Sequence, residues 1–202
     1  EMLEHFDIQR VSLGGPIFDV AKLSWLNGLW IRENLNVEQL AERLQEWAFN
    51  KDYLLQILPL AQQRMDTLSD FAPLAGFFAS GQLNISESDF ADCKLQGDEL
   101  AQALQFSLWS LEALRDWQRD SIFACMKGLA DSMGIKVKDF FGPLFIAISG
   151  STTSVSVIDA MAILGPDMSR ARIRHALNTV AGELGKKKLK KLEKAYNAIS
   201  PG

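Results

Sequence analysis

Residues suited to covalent or metal chemistry are few in this sequence, and they are scattered. There are two histidines. His5 lies in the N-terminal arm and His175 in an arginine-rich helix, and neither has a nucleophile at a spacing that builds a catalytic pair. Cys93 and Cys125 are far apart. No zinc spacing, no G-x-x-x-x-G-K-[ST] and no G-x-G-x-x-G occurs. The lysine run at 186–191 reads as a solvated face, with phosphate contact as its second reading. Non-covalent recognition chemistry is better represented. Lys22, Trp25 and Asn27 put a cation, a large aromatic and an amide within little more than one helical turn. On a nucleic acid, Trp25 would stack on a base or ribose and Lys22 would pair with a phosphate. The competing reading makes Trp25 core and Lys22 a solvated charge. Trp30, Trp47, Trp109 and Trp117 fall on apolar faces and read as packing.

The elements that must position these groups are helical. Asp19 is placed to cap a helix whose Val20, Leu23, Leu26 and Trp30 recur at helical spacing. Gly28 inside it costs about 1 kcal/mol against alanine, which suggests a close approach there. Residues 1–17 read as a short extended piece with a Gly-Gly-Pro turn. Asn36 with Gln39 forms a capping box before the stripe Val37, Leu40, Ala41, Leu44, Trp47. Tyr53, Leu54, Ile57, Leu58 and Ala61 follow, with Pro59 as a kink. Thr67-x-x-Asp70 starts another short helix, so Arg64 falls at a joint. Residues 76–86 read as a loop. Helices are expected at 86–94, 98–116, 117–133 and 137–148. Residues 149–153 read as a polar loop, and Ser154 as the cap of a helix that Gly165-Pro166 ends. A helix at 169–180 and a helical lysine-rich tail complete the chain. With no sustained period of two, the class is all-α, an irregular helical bundle.

The chain has 202 residues and a formal net charge of −4, which argues against non-specific nucleic-acid binding. The charge is uneven. From Glu183 onward six lysines face Glu183 and Glu193, a local +4 that leaves −8 on the rest. Specific RNA binding needs only such a local stripe. No apolar run approaches the roughly 18 residues of a membrane span. The charged opening lacks a signal peptide, and the start at a glutamate suggests a piece of a longer protein. Two distant cysteines without a secretion signal read as reduced thiols in the cytoplasm.

Three blocks, in order, carry a resemblance. The string FDVAKLSWLNG, 18–28, is similar to the segment after the KMSKS loop of bacterial glutamyl-tRNA synthetases. Arg64-Met65-Asp66-Thr67-Leu68 resembles that family's R-x-D-T-L. Residues 148–165 look like its closing L-T-G…L-L-G segment. The resemblance implies a C-terminal part of a class I synthetase. Residues 1–35 would end the tRNA stem-contact region, and 36–80 and 81–202 would be two helical anticodon-binding subdomains. The HIGH and KMSKS signatures are missing from the chain. The resemblance therefore implies no catalytic residue and no cofactor here; the parent would use ATP and Mg to attach glutamate to tRNA.

Site residues follow from the same resemblance. Arg64 would read the third anticodon letter, because a donor-only guanidinium suits the O2 and N3 acceptors of cytosine and opposes the N1 and N2 donors of guanine. The bland reading is a surface arginine at a helix end. Ser154, Val155 and Val157 occupy the family's second anticodon loop, where a splayed base would rest on apolar groups beside a hydroxyl and helix-start amides; the competing reading is a capped helix with Val157 in the core. The chain has Val155 where some members have proline and Phe145 where some have arginine. Lys22, Trp25, Asn27 and Lys127 would touch the stem or backbone. The implied partner is tRNA for glutamate, bound by a monomer with no membrane involvement. A rival reading is a helical adaptor that grips a partner protein in an apolar groove.

Overall fold

A computed structural model describes residues 19–199. These hold nine α-helices joined by short 3-10 turns, with no strand among the described residues. The expected extended piece at 1–17, with His5, lies outside them. Contacts divide the chain between Trp47 and Ala48.

The first unit contains α1 (Val20–Asn34) and α2 (Val37–Trp47). Both start as their caps dictate. The Asp19 carboxylate accepts from the Lys22 N–H at 3.0 Å. Asn36 and Gln39 exchange side-chain-to-backbone bonds at 3.0 and 2.8 Å, a reciprocal capping box. Burial does not follow the apolar pattern, because no residue of either helix is buried. Trp30 and Trp47, expected to pack, are 48% and 59% exposed. Gly28 also proves unremarkable: a β-carbon there meets only the Arg32 guanidinium, at 3.0 Å.

The second unit holds a single apolar core, running from Ile57 to Leu177. Its axis is α8 (Val157–Ala181), which packs most extensively on α5 (Gly97–Ala113) and α7 (Val137–Ser149). Around these lie α3 (Lys51–Ala61), the short α4 (Phe71–Ala75), α6 (Arg119–Ser132) and α9 (Lys186–Ile199). Helix α5 is enclosed well beyond its leucine stripe; Ala101, Ala103, Gln105, Phe106 and Ser107 are buried with Leu100, Leu104, Leu108 and Leu111. Helix α8 is two segments, 157–164 and 166–181, broken at Gly165, whose φ of 80° and ψ of 172° no helix contains. That break is where the Gly-Pro pair was expected to end a helix.

Two segments depart from expectation for local reasons. The expected loop at 76–86 opens with a 3-10 turn, Gly76–Ala79, that drives Phe77 and Phe78 into the core, their rings stacked at 4.2 Å. The helix expected at 86–94 is only a 3-10 turn, Glu87–Phe90. Its end is satisfied otherwise: the Gln96 amide donates to the carbonyls of Phe90, Ala91 and Cys93, so those acceptors need no further helical turn.

Candidate nucleic-acid interface

Arg64 closes a 3-10 turn that extends α3 (Gln62–Arg64), and the backbone becomes extended at Met65. The turn after it is fixed by Asp70, whose carboxylate accepts from the backbone N–H groups of Asp66 and Thr67 at 2.9 and 2.7 Å. Those bonds hold the Asp70 carboxyl below the usual aspartate range. The R-x-D-T-L block is therefore a rigid corner with an exposed arginine at its head. A cleft of about 530 Å³ opens beside it, lined by Leu55, Leu58, Pro59, Met65, Thr67 and Leu68. Leu68 at its rim is 90% exposed.

The corner meets the loop before α8 across ninety residues of sequence. Nη1 of Arg64 donates to the Ser154 carbonyl. The Ser154 hydroxyl is buried and donates to the Leu74 carbonyl at 3.2 Å. Ser154 thus cannot cap α8 as expected. Ser156 holds that position without a side-chain cap, so the first-turn amides of α8 have no capping side chain. Val155 and Val157 are 1% and 4% exposed. Their side chains belong to the core, and the apolar platform expected of them is not presented to solvent. What the loop does offer is its backbone, beside the Arg64 guanidinium.

The remaining predicted residues lie apart from this corner in the chain. Lys22 and Trp25, three residues apart on α1, share a face, and Trp25 is 58% exposed. Asn27 projects from the other side of the helix, given 3.6 residues per turn. Lys127 on α6 pairs with Asp131 at 2.7 Å, an exposed i,i+4 bridge, and such pairs contribute little to stability. Among the described residues no cluster of three or more His, Cys, Asp or Glu is placed to hold a metal ion, and no helix is long and apolar enough to cross a membrane.

One residue of this region was missed at the level of sequence. Arg172 is 1% exposed, and no acid pairs with it among the described residues. Its guanidinium donates to four carbonyls: Gly81 at 3.0 Å, Phe77 at 2.7 Å, Ser80 at 2.6 Å, and Ile148. It also lies 5.8 Å from the centre of the Phe77 ring. Burial pushes it down to about 10, so it stays charged at neutral pH. Arg172 ties the 76–81 turn to the last turn of α7, whose Gly150 cap leads into the loop that meets Arg64. A signal was available: Ser169, Arg172, Ile173, Ala176 and Leu177 are all buried and recur at core-facing spacing.

A family model described as an anticodon binding domain matches residues 39–177. The glutamate–tRNA ligase of Cellvibrio japonicus is 62% identical over 99% of this chain, and that of Marinomonas sp. 60% over 97%. The chain spans about 40% of the length of each. A glutamate tRNA ligase structure from Elizabethkingia meningosepticum superposes with a TM-score of 0.59 at 20% identity, covering 89% of this chain and 36% of that one. That likeness supports the all-α fold. The adaptor reading draws no support from any of these matches. With the family match running through both the Arg64 corner and the loop before α8, the chain belongs to the anticodon-binding domain family.

Proposed function

We propose that this chain binds tRNA for glutamate at the anticodon, as the C-terminal part of a bacterial glutamate–tRNA ligase. The observation that carries the reading is the hydrogen bond from Arg64 to the Ser154 carbonyl, which joins the two blocks tied to the anticodon. One Nη1 hydrogen is committed to that bond. The Nε and Nη2 donors have no partner among the described residues. Two adjacent donors match the O2 and N3 acceptors of a cytosine edge and oppose the N1 and N2 donors of guanine. Arg64 is the discriminating residue in this reading. The loop around Ser154, Val155 and Val157 contributes backbone groups and the uncapped amides of α8.

In the proposed layout, residues 1–35 end the stem-contact region, with the Lys22 and Trp25 face of α1 against the tRNA and Asn27 on the other side of the helix. Residues 36–80 and 81–202 form the anticodon-binding part, with Lys127 near the backbone. The ligase is read as a cytoplasmic monomer. ATP and Mg would serve the attachment of glutamate in the part of the ligase outside this chain. Binding to tRNA for glutamate and to tRNA for glutamine tests the reading. Tighter binding to the first, lost with Arg64→Gln, supports it, because a glutamine amide both donates and accepts and so tolerates either base. Equal binding of both tRNAs by the unaltered chain overturns the role of Arg64.

A further inference from the structure

We propose that α9 is a backbone clamp for RNA, gripping successive phosphates through Lys186, Lys190 and Lys194, with Lys187 beside them. The inference rests on the tRNA-binding reading above and adds to it a second surface, on the helix that packs against α5. Helix α9 is docked, not a loose tail. Tyr196 hydrogen-bonds Ser110 at 2.9 Å and packs its ring on Phe106 and Trp109, with centroids 5.2 and 5.4 Å away. Lys188 pairs with Asp98 at 2.7 Å. Leu189, Leu192, Ala195, Tyr196 and Ile199 form the covered side. At 3.6 residues per turn, Lys186, Lys187, Lys190 and Lys194 fall opposite that side. All four are exposed, and none has an acidic partner among the described residues.

The one acid within α9, Glu193, forms no ion pair with these lysines among the described residues. Like charges four residues apart repel. Three lysines in the first turn of α9, with no acid there, oppose the helix dipole. A partner of opposite charge accounts for both. Successive steps of four residues advance about 6 Å along the axis, comparable to the separation of neighbouring phosphates on one strand. The exposed side carries no aromatic group, since Tyr196 is turned inward, so it has no means of stacking on bases. Lysine ammonium groups are hydrated point charges suited to phosphates without sequence preference. The contact is therefore with the backbone, and it is indifferent to the anticodon.

The test is a variant with Lys186, Lys187, Lys190 and Lys194 all changed to Gln, a residue of similar helix propensity. Binding to tRNA for glutamate and for glutamine is measured as a function of salt, beside unaltered chain and Arg64→Gln. Loss of four phosphate contacts should lower the log–log salt slope by about 3. The advantage of unaltered chain over the variant should then shrink by about 60-fold between about 50 and 200 mM salt. The loss should be equal for both tRNAs, with the preference set by Arg64 kept. Changing the four to Arg should restore the slope. An unchanged slope, with Arg64→Gln still abolishing the preference, overturns the clamp and leaves the anticodon reading standing. Absence of binding to either tRNA by unaltered chain overturns both. Lysine-dependent binding to phosphatidylserine vesicles, with RNA binding untouched by the variant, overturns the clamp in favour of a membrane surface.

Discussion

Replacing Arg172 with methionine keeps much of the stem's bulk and removes a buried cation together with its four hydrogen bonds. The four carbonyls do not suffer equally. The Phe77 carbonyl keeps a bond from the Ser80 N–H at 3.2 Å, and Gly81 is exposed, so water can serve its oxygen. The Ile148 carbonyl, in the last turn of α7, and that of Ser80 are left to pay in full. Each unsatisfied buried acceptor costs about 1–3 kcal/mol. The removal of a buried, desolvated guanidinium returns part of this. The expected net loss is about 3 kcal/mol. In urea, with a slope of about 2 kcal/mol per molar, the unfolding midpoint should fall by about 1.5 M. Arg172→Lys retains the charge but not the planar fork and should recover less than half of the loss. The preference between the two tRNAs should also weaken in the methionine variant at temperatures where it stays folded, because the 76–81 turn and the end of α7 lose their common tie. A loss below about 1 kcal/mol, or a gain, would show that the buried cation is tolerated and not structural.

Two further perturbations separate packing from recognition. Val155→Ala should cost about 2 kcal/mol in chemical denaturation, because the side chain is buried. Trp25→Ala should leave stability within about 0.5 kcal/mol yet weaken tRNA binding, as the residue is 58% exposed. Asp70→Asn tests the corner through pH. The folded Asp70 carboxyl titrates below its unfolded value, so its contribution is present above about pH 4 and fades as pH falls through the folded value. Acid unfolding curves of Asp70→Asn should therefore be flatter in that range than those of the unaltered chain.

The parts legible in advance are those set by neighbours in sequence. Asp19, the Asn36–Gln39 box and Asp70 cap as their spacing predicts, because each partner is three or four residues away. The Gly165-Pro166 break is equally local. Burial was less legible. The stripes of α1 and α2 satisfy helical periodicity, but periodicity marks an apolar side without saying what covers it. The family resemblance puts Val155 and Val157 against a base, whereas their burial depends on a core assembled from distant helices. Arg172 shows the reverse case. Its phase on α8 pointed inward, while its charge pointed outward, and only the carbonyl cage at Phe77, Ser80, Gly81 and Ile148 makes the inward position tenable. The meeting of Arg64 with Ser154 had no local signal either, since it depends on how α3 and α8 share the core.

Arg64 is proposed to read the third anticodon letter. The most direct measurement compares two transcripts of tRNA for glutamate that differ only there, cytosine in one and guanine in the other, bound by unaltered chain and by Arg64→Gln. A charge-assisted hydrogen bond of about 1.5–3 kcal/mol predicts that unaltered chain prefers cytosine by about 10-fold to 100-fold. Arg64→Gln should bring the two affinities within about twofold, as expected of a side chain that accepts as well as donates. A preference for cytosine that survives Arg64→Gln undiminished would assign the reading of that base to another group.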